Sequence, residues 1–175
     1  MDTSFSGSYH DVIDNMGLAL VIYRAVDDGD DFMFIEVNHG VEEIEQVKRE
    51  DLIGKRVTET FPGVVEFGLL DVLKRVYRTG APERLPIGLY VDDRITGWRD
   101  NYVYKLDTGE VVAVYRDETV RKKQEEHIKY LNQVLRAIRN VNQLIATEKD
   151  RGTFLQRCCE SMVETKGYNG AWTVS

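Results

Sequence analysis

The side chains that could carry nucleophilic, redox or acid–base chemistry are few in this chain and stand apart from one another. Cys158 and Cys159 are neighbours, a spacing that suits neither a structural disulfide nor a metal site. They share a helical apolar stripe with Phe154, Leu155, Met162 and Val163, where a thiol packs and does not react. His127, in Glu125-Glu126-His127-Ile128-Lys129, could accept a phosphoryl group, but the proline-containing continuation of a phosphoacceptor helix does not follow it. The pairs Asp27-Asp28 and Asp92-Asp93 sit in turn-rich stretches without a companion acid or base, and are expected to be solvated loops. Neither G-x-G-x-x-G nor G-x-x-x-x-G-K occurs, so no phosphate-cradling loop is present. Catalysis is not expected of this segment.

The elements around these residues follow from periodicity. Tyr9, Val12, Ile13 and Met16 have helical spacing and stop at Gly17, predicting a short amphipathic helix over residues 1–17. Leu18 to Val26 and Phe32 to Val37 are β-rich runs joined by an Asp/Gly turn, which predicts a hairpin. Asn38 opens a helical stretch carrying Val41, Ile44 and Val47, and Arg49 to Gly54 reads as one further turn. From Glu66 to Thr79, Leu69, Leu70, Leu73, Val76 and Tyr77 share one face before Gly80. Three strands follow, Arg84 to Val91, Gly97 to Leu106 and Glu110 to Arg116, with Asp107-Thr108-Gly109 turning the last two. Strands at both ends with helices between them predict an α+β antiparallel sheet. Val111 to Tyr115 is apolar throughout and should lie mid-sheet with both faces covered.

Beyond Asp117 no Gly or Pro occurs until Gly152. Ile128, Leu131, Leu135, Ile138, Asn142 and Ile145 alternate three and four apart, a heptad seam with Asn142 at an a position. A buried Asn there favours a two-stranded parallel coiled coil, so a homodimer is expected through this helix; the alternative is a stripe that packs on the chain's own sheet.

Composition bounds the function classes. At 175 residues, of which 42% are apolar and 30% charged, the chain holds one globular domain and a remainder. The net charge of −7 disfavours nucleic acid as a partner. Residues 1–117 carry 23 acidic and 13 basic side chains and residues 118–175 carry 7 and 10, so an acidic body precedes a mildly basic segment. No apolar run reaches membrane-spanning length, no export signal opens the chain, and the cysteine usage fits a reducing cytoplasmic setting.

Three short motifs, in this order and spacing, make residues 8–119 resemble a PAS domain: Glu36-Val37-Asn38, Asp51-Leu52-Ile53-Gly54-Lys55 and the D-x-T of Asp117-Glu118-Thr119. The family fold implied is a five-stranded antiparallel sheet with helices on one face, its core over 18–119. The D-x-T junction couples core to exit helix in that family, which makes Asp117, Thr119 and Arg121 relay candidates. Position 118 is Glu where the family prefers Ile or Val. Residues 131–175, with Gly167-Tyr168 before a strand, resemble the opening of a GAF domain. The expected organisation is a linker helix over 120–147 and an incomplete GAF start over 148–175. PAS, helix and GAF together resemble the cytoplasmic sensory region of a two-component histidine kinase. Downstream GAF and kinase domains would then be partners.

The resemblance places a ligand pocket between the sheet and the 66–79 helix, with Phe34, Leu73, Tyr77, Trp98 and Tyr102 as candidate lining. A covalent flavin or thioester-linked chromophore needs a cysteine that the core lacks, and haem needs a histidine that this helix lacks, His39 being a helix-start residue. Non-covalent flavin could use Trp98, Asn101 and Tyr102, and an organic acid could use Arg75, Arg99 or Lys105. The cofactor is therefore unknown. The aromatic set Tyr90, Trp98, Tyr102 and Tyr104 is expected to be core or interface packing. The expected function is a sensory or relay module, with a ligand-free assembly scaffold or a flavin redox sensor as alternatives.

Overall fold

The computed structural model describes residues 13, 14, 16–147 and 152. The predicted N-terminal helix falls largely outside the described residues, as do the GAF-like start and Cys158-Cys159. The chain divides into two compact units, Met1–Val120 and Arg121–Ser175.

The first unit opens with β1 (Ala19–Val26) and β2 (Asp31–Val37), joined by a single 3-10 turn at Asp27–Gly29. Asp27 and Asp28 take φ of 51° and 56° there, a region that Asp tolerates better than most side chains. Helices α1 (His39–Glu45), α2 (Arg49–Leu52) and α3 (Val57–Thr60) lead to α4 (Leu69–Thr79). The last helix was expected from Glu66, but Gly68 has φ 84°, which no helix continues through, and the helix begins after it. Strands β3 (Glu83–Val91), β4 (Thr96–Lys105) and β5 (Val111–Asp117) complete the sheet.

All pairings are antiparallel and the strand order is β2-β1-β5-β4-β3. Strand β5 is central, as its apolar run requires: Val111 and Ala113 are fully buried on one face and Val112 is buried on the other. Odd-numbered β1 residues Ala19, Val21 and Tyr23 face the core, where Phe32, Phe34, Leu52, Leu73 and Val103 are also fully covered. Helix α4 lays Leu69, Leu70, Val72, Leu73 and Val76 into that core, the period-3.6 stripe that its sequence carries.

Asn38 does more than precede α1. Its side chain makes no cap hydrogen bond to that helix. Its Oδ1 accepts from the Leu20 N–H at 2.8 Å and its Nδ2 donates to the Leu18 carbonyl at 2.8 Å. The amide thereby extends the β1 edge where β2 has ended, satisfying backbone groups that would be left unpaired.

The second unit is described through α5 (Thr119–Thr147), one helix of 29 residues whose first residues belong to the first unit. Ile128, Leu131, Leu135 and Ile138 are exposed along it. Among the described residues no helix is long and apolar enough to cross a membrane.

Candidate functional site

The strand pairing of β4 on β5 decides where polar groups enter the core. Along β4, Gly97, Arg99, Asn101 and Val103 are buried, while Trp98, Asp100 and Tyr104 are half-buried and Tyr102 is exposed. Two polar side chains therefore occupy the core face of a strand whose aromatic residues face outward. Arg99 stands opposite Asp117 and Asn101 opposite Tyr115 in the register.

A cavity of about 50 Å³ lies among these residues and the inner faces of β1, β2 and α1. Its walls are mostly aromatic, from Tyr23, Phe34, Phe61, Phe67, Tyr90 and Tyr115, with Glu45, Arg99 and Asn101 as polar groups. The Tyr23, Phe34 and Phe61 rings stack in sequence at centroid distances of 5.2 Å and 5.9 Å.

Glu45, the last residue of α1, lies one turn beyond buried Val41 and so faces inward. Arg99 Nε donates to its Oε1 at 3.2 Å, and Arg99 Nη1 lies 3.1 Å from Asp117 Oδ2. One guanidinium is shared between a carboxylate in the cavity wall and a carboxylate at the end of β5. Burial pushes the Glu45 carboxyl above the usual range, opposed by Arg99 and by the Tyr115 hydroxyl against it. Burial also holds the Tyr23 and Tyr115 phenols well above their ordinary value, with the Glu45 charge acting in the same direction.

The junction with α5 is built on the same strand. Thr119 N–H donates to Asp117 Oδ1 at 2.8 Å, a helix-start contact of the type the D-x-T predicted. Thr119 Oγ1 does not cap the helix; it accepts from the Trp98 N–H at 2.8 Å, and the Glu118 N–H donates to the Trp98 carbonyl at 2.9 Å. Both backbone groups of Trp98 are thus held by the start of the exit helix. Gly97 makes room for this: a Cβ there would collide with the Arg99 guanidinium and crowd Thr119 Oγ1. Arg121 pairs with Glu125 one turn along α5, and Glu118 is half-buried.

The predicted pocket residues are only partly brought together. Phe34 lines the cavity. Leu73 and Tyr77 lie beside α4's core contacts without lining it; Tyr77 packs edge-on to Phe32 at 6.2 Å and beneath Lys105 Nζ at 4.5 Å. Trp98 and Tyr102 stand on the outer face, Tyr102 47% exposed and 5.9 Å from the Tyr104 ring. Neither can touch a ligand in the cavity. Among the cations suggested for an acid ligand, Arg75 pairs with Glu83 at the surface and Lys105 binds the Tyr77 carbonyl. Only Arg99 of the three reaches the cavity. Glu45 and Tyr115 were not among the sequence candidates, although the i,i+4 pairing of Glu45 with Val41 marks its direction.

Two other expectations separate. Asp27 is exposed and pairs with Arg56. Asp92 is no solvated loop: its carboxylate is 2% exposed, takes hydrogen bonds from the Arg94 and Ile95 N–H groups at 2.8 Å, and accepts the Tyr90 hydroxyl. Burial raises its pKa, but these donors outweigh burial and hold it below the usual range. His39 is a surface helix-start residue bridging Glu42 and Glu43. No group of metal-ligating side chains is found among the described residues.

No family model matches the chain and no curated protein matches it. Solved structures do. An RNA-binding Light-Oxygen-Voltage receptor is 11% identical, with a TM-score of 0.50 over 72% of this chain and 36% of that one. A domain of a sensory box sensor histidine kinase/response regulator from Geobacter sulfurreducens is 14% identical over 62% of this chain and 90% of that one, TM-score 0.49. A PAS domain from Colwellia psychrerythraea is 20% identical over 62% and 92%, TM-score 0.48. Sheet order, helix placement and the first of these likenesses define an α+β domain of the PAS fold.

Proposed function

We propose that this chain is a cytoplasmic sensory PAS module of a two-component histidine kinase, passing a change in its cavity to the output through a dimeric exit helix. The observation that carries the reading is the Arg99 guanidinium, shared between Glu45 in the cavity wall and Asp117 at the root of α5. A change that draws Arg99 toward the cavity weakens its hold on Asp117, whose other oxygen fixes the first N–H of the helix. The helix start is then biased between two arrangements by differential contacts, which is what a relay requires. Asp117 and Thr119 are the relay residues; Arg121 acts within the helix. The seam of Ile128, Leu131, Leu135, Ile138, Asn142 and Ile145 pairs two copies, and the GAF and kinase domains lie beyond it in the parent chain.

The cavity's size bears on the alternatives. Sites for small organic molecules span about 300–1,000 Å³, so a flavin would need this core to open, and the flavin reading has no support from it. The test of the relay is amide exchange over residues 119–125 in Arg99→Met and Asp117→Asn. Both variants are expected to lose protection at the helix start while β1 and β5 stay protected. Unchanged exchange there would leave a ligand-free assembly scaffold as the reading.

A further inference from the structure

Asn101 supplies what the relay reading lacks, the chemistry of the occupant, and the inference rests on that reading. The side chain lines the cavity, the residue is 2% exposed, and its Nδ2 is buried with no hydrogen-bond partner. A buried amide donor left in this state is costly. It asks for an acceptor. The charge around it is already closed: the Arg99 guanidinium is shared by Glu45 and Asp117, so no uncompensated positive charge faces the cavity. An anion entering there would meet a carboxylate and find no cation to itself. An ammonium would bring donors to a donor. Phe34 and Phe61 offer the rest of the wall as apolar surface, and about 50 Å³ admits only a few non-hydrogen atoms.

We propose that the cavity takes a small uncharged molecule bearing a carbonyl or hydroxyl oxygen, with that oxygen on Asn101 Nδ2 and its apolar part against Phe34 and Phe61. The organic acid suggested by the sequence is disfavoured by the same geometry.

Propionamide and propionate have the same shape and differ in charge, which makes them the probes. Each is titrated into the 175-residue chain while the Asn101 side-chain NH2 resonances are followed by NMR. Propionamide is expected to shift that pair and to bind about tenfold more tightly than propionate. Asn101→Leu should weaken propionamide by about tenfold and leave propionate unchanged; Asn101→Ser, smaller and still polar, replaces it if the leucine variant does not fold. Equal or tighter binding of propionate overturns the ligand class while leaving the relay intact, because the relay is judged on Arg99 and Asp117. If neither probe moves the Asn101 pair, the cavity holds water alone and the proposal fails.

Discussion

At the residue scale the most consequential choice is which face of β4 looks inward. Tyr102 and Leu73 test it directly: Leu73→Ala empties fully buried volume and is expected to cost ~2–5 kcal/mol. Tyr102→Ala, on the outer face, should cost only ~0.5–1.5 kcal/mol through its contact with Tyr104. Denaturant melts of the two variants measure both, and comparable losses would return Tyr102 to the core. The reason the sequence misleads here is physical. Trp98, Tyr102 and Tyr104 alternate with Arg99, Asn101 and Lys105, and alternation reports two faces without saying which is buried. Apolar bulk normally decides, and here it decides wrongly, because the ion pair Arg99–Asp117 and the cavity turn the polar set inward. Glu45 carries a pH signature of this burial. Its raised pKa means the folded chain retains a proton that the unfolded chain has released, so its contribution to stability falls as pH rises from the ordinary glutamate range through the folded value. The stability difference between wild type and Glu45→Gln is therefore expected to shrink with rising pH across that window, as followed by urea titrations. A difference that grows would show a carboxyl held below its ordinary value by Arg99.

At the element scale, α5 and the β4–β5 pair matter most. Leu135→Asp puts a charge in the proposed seam and is expected to halve the sedimenting mass, whereas Asn142→Leu should keep or tighten association while loosening register. An unchanged mass in Leu135→Asp would remove the seam as the interface. The β elements were legible in the sequence to within a residue or two, since Asp107-Thr108-Gly109 and the Asp27 to Asp31 stretch mark hairpin turns. The start of α4 was not: Glu66 and Phe67 fit the apolar period, but Gly68 adopts a left-handed backbone that periodicity cannot report. The D-x-T was legible as a helix start and not as a clamp on β4, because the partner of Thr119 Oγ1 lies 21 positions away in sequence. Local spacing carries caps; it does not carry contacts made by sheet register.

At the scale of the whole molecule, the acidic body and the basic segment meet at the junction where the two compact units divide. The PAS fold supplies a rigid sheet, and the residues that distinguish this chain, Glu45, Arg99, Asn101 and Asp117, line one path from cavity to exit. Gly97→Ala tests the tightness of that path: its methyl displaces Arg99 or Thr119 Oγ1, and an observable loss of protection at the helix start is expected without loss of the sheet.

The double hold on Trp98 has a mechanical consequence. Because the first turn of α5 is fastened to β4 through two backbone hydrogen bonds, strand and helix share one rotational phase, and 29 residues at ~1.5 Å each make a lever of about 43 Å. Angular position along such a rod is set by residue count, about 100° per residue at 3.6 per turn. Inserting seven residues after Arg139 should preserve the output of the parent kinase, and inserting four should shift it, much as a gear slipped by half a tooth still turns but no longer meshes.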